Sequence, residues 1–130
     1  MNAVRLMLVF AALLLFIVVS GRVQAQTEQD RIARIAEIEI DPHEIEPYKE
    51  ALREEIADSI RLEPGVLTLY AVSIKGHPEQ VRIFEVYANQ MAYEAHLRTP
   101  QFNTYKTLTP SMVRSLKLIE VDPISLGAKK

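Results

Sequence analysis

Residues 31–41, RIARIAEIEID, alternate in character: Arg34, Ala36, Ile38 and Ile40 fall on one side, Ile35, Glu37 and Glu39 on the other. A period of two is that of a strand, and the two glutamates mark the second side as wet or interface-lining rather than dry core. The period then changes. Ile45, Tyr48, Leu52, Ile56 and Ile60 recur at spacings of three and four with charged residues between them, which predicts an amphipathic helix of about five turns. Asp41 is its candidate cap, with Pro42 tolerated in the first turn. Glu44 and Glu46 suit the positive end of the helix dipole, and Glu63-Pro64-Gly65 stops the helix and turns the chain.

Two β-rich runs follow, VLTLYAVSI at 66–74 and VRIFEVY at 81–87. Residues 75–80, Lys-Gly-His-Pro-Glu-Gln, form a turn-rich link of hairpin length between them. In the second run Val81, Ile83, Glu85 and Tyr87 share one side, and Arg82, Phe84 and Val86 take the other. Asn89 can cap a short helix to about Arg98. Thr99-Pro100 breaks it, and a second helical stretch runs from about Gln101 to Met112, interrupted near Thr109-Pro110. SLKLIEV at 115–121 alternates again as the last strand, and residues 122–130 read as an extension that docks on a partner or stays mobile.

The order β-α-β-β-α-β names an α+β fold of the ferredoxin-like, split βαβ type. Its antiparallel sheet carries helices on one face only. The other face also has many apolar groups, and pairing sheet against sheet between two copies would cover them. A homodimer is therefore expected.

The chain has 130 residues, room for one domain, with 48% hydrophobic and 25% charged residues. Its first 25 residues stand apart: Arg5, an apolar run from Leu6 to Val19, then Ser20, Gly21 and Val23-Gln24-Ala25. A basic start, an apolar middle and a small-x-small close describe a secretory signal peptide cleaved after Ala25. The competing reading is a retained anchor, but the run falls short of the about 20 apolar residues that span a bilayer. Cleavage leaves residues 26–130 as an exported domain, periplasmic or secreted. Arg5 and Arg22 depart with the peptide, so 13 basic face 17 acidic residues, a net charge of −4 against −2 for the whole chain. That balance gives no reason to expect nucleic acid or an anionic membrane as partner. The chain has no cysteine, so packing must stabilise it without disulfides, and thiol chemistry and thiolate metal sites are excluded.

Phosphate loops, dinucleotide fingerprints, His-Glu-x-x-His pairs and nucleophile elbows are absent from the sequence. His43, His77 and His96 are too scattered for a metal site. His43 and His77 read as surface residues. His96 lies near the end of the short helix, beside the apolar pair Tyr93 and Leu97 and near the strand bearing Glu85 and Tyr87. An imidazole there can titrate near neutrality and move a proton; the bland alternative is a hydrogen-bonded helix histidine. Tyr70, Phe84, Tyr87, Phe102 and Tyr105 could meet as an aromatic-lined cavity between sheet and helices, or be plain core. Glu85 is either paired or a carboxylate of that cavity.

The segments EPGVLTLYAV, VRIFEVYANQMAYEAHLRTPQF and SLKLIEV resemble the antibiotic biosynthesis monooxygenase family, including its quinol monooxygenases. The resemblance spans about Ile32 to Val121. It implies a dimeric α+β barrel with a pocket between sheet and helices in each protomer. For active members it implies oxygenation of quinols or polycyclic phenols by dioxygen with no cofactor. His96 matches the histidine of Glu-Ala-His-Leu, Tyr87 stands where many members have tryptophan or tyrosine, and Phe102 matches the aromatic after the Thr-Pro break. His96 and Tyr87 are thus the candidate catalytic residues, with Tyr70, Phe84, Glu85, Phe102 and Tyr105 lining the substrate pocket. Two departures matter. Gln101 replaces a second histidine of many relatives, and Lys106 stands where haem-degrading relatives place an axial histidine, so haem degradation does not fit.

The implied chemistry is that His96 takes a proton from an electron-rich quinol or phenol. The anion gives an electron to dioxygen, and the two recombine to a hydroperoxide that collapses to quinone and water. Two alternatives stay open on the same scaffold. One is a non-oxidative isomerase acting on a phosphorylated dione, which the export signal and negative charge disfavour. The other is a ligand-binding or stress-related dimer without turnover.

Overall fold

The computed structural model describes residues 30–129. The signal-peptide reading of residues 1–25 and its cleavage site lie outside the described residues. Among those described, no helix is long and apolar enough to cross a membrane.

The elements run β1 (Ile32–Ile40), α1 (Ile45–Leu62), β2 (Val66–Ile74), β3 (His77–Tyr87), α2 (Gln90–His96), α3 (Pro100–Leu108) and β4 (Val113–Val121). One antiparallel sheet has the order β2-β3-β1-β4, which is the ferredoxin-like split βαβ arrangement. The two helical pieces expected on either side of Thr99-Pro100 are both present, because Thr99-Pro100 restarts the chain; the second ends at Leu108 rather than near Met112. Thr99 Oγ1 caps α3 by accepting from Phe102 N at 3.3 Å, and Pro100 fills the first helical position, where no N–H is needed.

The alternation in β1 does what its pattern predicts. Ala36, Ile38 and Ile40 turn toward the helices and pack with Tyr48, Leu52, Val81 and Ile83 in the main core. Ile35 pairs with Phe84 and Ile119 in register on the opposite face. The buried stripe of α1 is Tyr48, Ala51, Leu52, Glu55 and Ser59. Ile60, expected on that stripe, is 49% exposed: from residue 55 onward the helix turns polar groups inward, with functional consequences below.

Local devices differ from expectation at two turns. Asp41 does not cap α1; Glu44 occupies that position, without a side-chain cap. Asp41 instead builds the turn before the helix: its Oδ1 accepts from His43 N at 2.9 Å and its carbonyl from Glu44 N at 2.8 Å. The hairpin link is also shorter than residues 75–80. Ile74 pairs directly with His77, so only Lys75 and Gly76 turn the chain, and Gly76 takes φ 83°, which glycine adopts without strain.

The face away from the helices carries Ile35, Tyr70, Phe84, Val86 and Ile119 by strand register. Tyr70 is 63% exposed there. The C-terminal extension returns over part of this face, where Leu126, Gly127 and Ala128 line a shallow hollow with Tyr70, Phe84 and Val86.

Candidate active site

Between the sheet and the helices lies a cavity of about 280 Å³. Ala36 and Ile38 of β1, Leu52 and Ile56 of α1, Leu69 of β2 and Ile83 of β3 give it apolar walls. Phe102 and Tyr105 of α3 add aromatic surface, and Leu116 and Leu118 of edge strand β4, each about half exposed, form part of its rim. Four ionisable side chains besides Tyr105 reach it: Glu55, Glu85, His96 and Lys106.

His96 is the last residue of α2 and is 3% exposed. Its place follows from the chain on either side. Asn89 Oδ1 caps α2 by accepting from Ala92 N at 2.9 Å. After the helix, Thr99 donates to the His96 carbonyl from Oγ1 at 2.8 Å and from its backbone N at 3.1 Å. The imidazole lies between the rings of Tyr87 and Phe102, with centroids 5.3 and 4.9 Å away.

Both ring nitrogens face carboxylates. Nδ1 is 3.1 Å from Glu63 Oε2 and 3.3 Å from Oε1. A carboxylate only accepts, so Nδ1 carries the hydrogen in this contact. Gln101 Nε2 donates to the same Glu63 Oε2 at 2.9 Å. Nε2 stands 3.6 Å from Glu55 Oε1, too far for a direct hydrogen bond. Glu55 Oε1 accepts from Ser59 Oγ at 2.8 Å, one turn along α1. With Nδ1 held as a donor by Glu63, Nε2 is left as the working nitrogen.

The carboxylates are held in a poorly solvated setting. Burial pushes Glu55 above the usual carboxylate range, against the hydrogen bond from Ser59 and the attraction of His96, while Glu63 and Glu85 reinforce the rise. Burial likewise raises Glu85, although it accepts from the Tyr87 hydroxyl at 2.9 Å and feels His96 and Arg34. The Tyr87, Tyr48 and Tyr105 hydroxyls are all pushed up by burial and stay protonated. Tyr48 and Tyr105 share a 2.8 Å hydrogen bond. Arg34, opposite Glu85 in register, lies 4.3 Å from the Tyr93 ring centre, hydrogen-bonds the Tyr93 hydroxyl and pairs with Glu120 at 2.7 Å.

Of the residues singled out in sequence, His96, Glu85, Phe102 and Tyr105 meet at the cavity. Tyr87 does not line it; it stands behind, 1% exposed, supporting Glu85 by its hydroxyl and His96 by its ring. Tyr70 and Phe84 do not belong to this cavity. They pair with each other on the opposite face of the sheet, because strand alternation turns Phe84 away whenever it turns Glu85 and Tyr87 inward. His43 and His77 are exposed, as expected. Glu55, Ser59 and Glu63 were missed. The first two sit four residues apart in line with Tyr48 and Leu52, a polar pair on a buried stripe, and Glu63 was read only as part of a helix stop. Among the described residues no group of three His, Cys, Asp or Glu side chains is arranged to hold a metal ion.

The family model for antibiotic biosynthesis monooxygenases matches residues 31–108. A solved structure from Bacteroides thetaiotaomicron, described as a "putative antibiotic biosynthesis monooxygenase", is 46% identical, with a TM-score of 0.75, over 78% of this chain and 97% of that one. A "putative monooxygenase" from Lactobacillus acidophilus is 25% identical, with a TM-score of 0.67, over 72% of this chain and 50% of the other. A protein from Nitrosomonas europaea shares the fold at 21% identity, with a TM-score of 0.68, over 73% of this chain and 91% of that one. No curated protein matches the sequence.

Proposed function

Because the chain belongs to the antibiotic biosynthesis monooxygenase family, we propose that it is a cofactor-free monooxygenase acting on quinols or polycyclic phenols with dioxygen. The observation that carries this reading is His96. It is a buried imidazole with Nδ1 on Glu63 and Nε2 free of any direct hydrogen bond, at an apolar, aromatic-lined cavity. The volume is nearly twice the roughly 150 Å³ of an apolar cavity that takes up benzene, which suits a two-ring aromatic.

His96 Nε2 takes the proton of a substrate hydroxyl, and Glu63 offsets the charge of the imidazolium that results. The anion passes one electron to dioxygen, and the two radicals join at a ring carbon. The hydroperoxide formed loses water, so one oxygen atom enters the product as a carbonyl and the other leaves as water. The substrate supplies all four electrons. The residues of this chain bind, deprotonate and exclude bulk water.

The protein acts as a homodimer in this reading, the apolar sheet face of one copy covering that of its partner. Residues 1–25 direct its export to the periplasm or beyond, and cleavage after Ala25 leaves residues 26–130 as the working domain. The carboxylates at the cavity disfavour a phosphorylated substrate and hence an isomerase acting on one. A ligand-binding dimer without turnover is the second reading, favoured by Gln101, which ties up Glu63 where a second base would stand.

Oxygen uptake by the purified protein with a panel of reduced naphthoquinones, after subtraction of autoxidation, tests the proposal. Uptake is expected, falling about 100-fold or more in His96→Gln. Saturable binding of the quinols without uptake above background would replace it with the second reading.

A further inference from the structure

The proposed reaction uses His96 and Glu63 and leaves Glu55 without a task, yet Glu55 is the more conspicuous oddity. It is a carboxyl 6% exposed on a helix stripe that otherwise packs Tyr48 and Leu52. Its one hydrogen-bond partner among the described side chains is Ser59. Burying a carboxyl so sparsely paired is unfavourable, and an apolar residue would pack there instead. Its Oε1 and His96 Nε2 lie 3.6 Å apart and both residues line the cavity. That spacing suits a bridging atom. An oxygen placed about 2.8 Å from each, an ordinary hydrogen-bond length, would see the two atoms about 80° apart and clash with neither.

We propose that Glu55 and His96 carry one proton for the two of them and together seat a single hydroxyl oxygen of the substrate, so that an aryl hydroxyl ionises in place. This rests on the reading of the substrate as a phenol or quinol. The proton count closes without outside help. The pair brings one proton and the hydroxyl brings another. When the O–H bond breaks, both protons reside on the protein, one on Nε2 and one on the Glu55 carboxyl, and both donate to the aryl oxide. Nothing enters or leaves the cavity at this step. A carboxyl kept neutral by its surroundings is a strong hydrogen-bond donor to such an anion.

Charged groups face the pair from the elements around it and act in both directions. Glu63 faces Nδ1 from the end of α1, and Glu85 and the Tyr87 hydroxyl stand on β3. Tyr105 and Lys106 approach from α3, and Tyr48 lies on the same helix as Glu55. Burial first, and then Glu63 and Glu85, oppose an ionised Glu55, so the proton stays in the pair, while Lys106 is the cation at the cavity that can offset the aryl oxide. The seat also selects. A neutral hydroxyl can both donate and accept there, whereas a methyl ether lacks the proton to be shared.

The test uses 4-nitro-1-naphthol, a two-ring phenol whose anion is coloured and whose electron-poor ring resists oxygenation. Titrated into the full-length protein, the bound probe is expected to be ionised at a pH at least one unit below the midpoint of the free probe. Its methyl ether should bind at least tenfold more weakly. Glu55→Met should lower the ionised fraction of bound probe about tenfold. Glu55→Gln, which keeps a donor, should stay within about threefold of the wild type. Wild-type protein that binds the probe un-ionised, or the ether as well as the phenol, overturns the proposal. So does a Glu55→Met protein that ionises the probe like wild type, or a Glu55→Gln protein that fails as badly as Glu55→Met. Oxygen uptake with quinols is read separately. Its loss with probe ionisation intact refutes the monooxygenase reading alone, and the reverse pattern refutes the shared-proton seat alone.

Discussion

Gly65 lies at a close approach whose removal can be sized from distances. A Cβ added at Gly65 would fall 2.5 Å from Ala92 Cβ and 3.4 Å from Ala92 Cα. Carbon atoms rest at about 3.5–4.0 Å, so Gly65→Ala requires α2 to retreat by about 1 Å. The helix is not free to do so, because the Gly65 carbonyl accepts from Ala88 N at 2.8 Å just before it. Such overpacking costs about 1–3 kcal/mol, and in a domain of this size each kcal/mol lowers Tm by about 4–8 °C. Removing the other methyl should undo the damage. In Gly65→Ala/Ala92→Gly the nearest remaining contact is the 3.4 Å one to Cα, tight but tolerable, and glycine within α2 costs only about 1 kcal/mol. The double variant should therefore be more stable than the sum of the single changes by about 1–2 kcal/mol. Urea unfolding of the four proteins measures this directly. Strict additivity, or a Gly65→Ala protein with an unchanged midpoint, would refute the packing argument. Because α2 also carries His96, the single variant should impair the site before it unfolds the domain.

Glu85→Gln probes the carboxyl cluster through pH. Burial raises Glu85 above its ordinary 4.5, so what this group contributes is fully present below that value and is lost as pH rises through its folded pKa. The variant stays neutral and keeps an acceptor for Tyr87; it should match the wild type near pH 4 and exceed its urea midpoint at pH 8, and a lower midpoint at pH 8 would contradict this. Phe84→Asp places a charge on the sheet face away from the cavity, at a half-buried position beside the C-terminal extension. If two copies pair through this face as proposed, sedimentation should show their association weakened about tenfold or more with the far-ultraviolet spectrum retained, whereas unchanged association would mean that the copies meet elsewhere.

Strand and helix periods carried the fold nearly to its boundaries, because β1, α1 and β3 each have a face to bury and their sequence says which. Errors fell where a residue serves two readings. Asp41 looks like a cap and instead closes the turn one step earlier. His77 and Pro78 look like turn residues and lie in β3, since a two-residue turn at Lys75 and Gly76 suffices. Placing Phe84 and Tyr70 in the cavity ignored a constraint the sequence already carried. Val81, Ile83, Glu85 and Tyr87 share a side, so Phe84 cannot join Glu85, and Tyr70 follows Phe84 through the hairpin register. His96 was legible through motif and helix position. Glu63 and Glu55 were not, because their meaning depends on the end of α2 bringing His96 against the last turns of α1, and no local pattern encodes that.

The site is assembled from the ends of elements more than from their middles. Glu63 is the residue that ends α1, His96 the last of α2, and Thr99 the cap of α3. Each is fixed by the local signal that stops or starts its helix: Pro64-Gly65 turns the chain so that Glu63 meets the imidazole, and Thr99-Pro100 pins the His96 carbonyl while starting the helix that brings Phe102 and Tyr105. Glu55 and Ser59, in the last two turns of α1, complete the set from within a helix. A polar cluster made this way holds its geometry through backbone caps and can remain beside an unfilled apolar hollow. Filling the hollow with side chains would gain burial energy, and replacing Glu55 and Glu85 with apolar residues would remove the cost of burying carboxyls. That the chain forgoes both gains, at the cavity to which His96 belongs, is the physical reason to look for chemistry there.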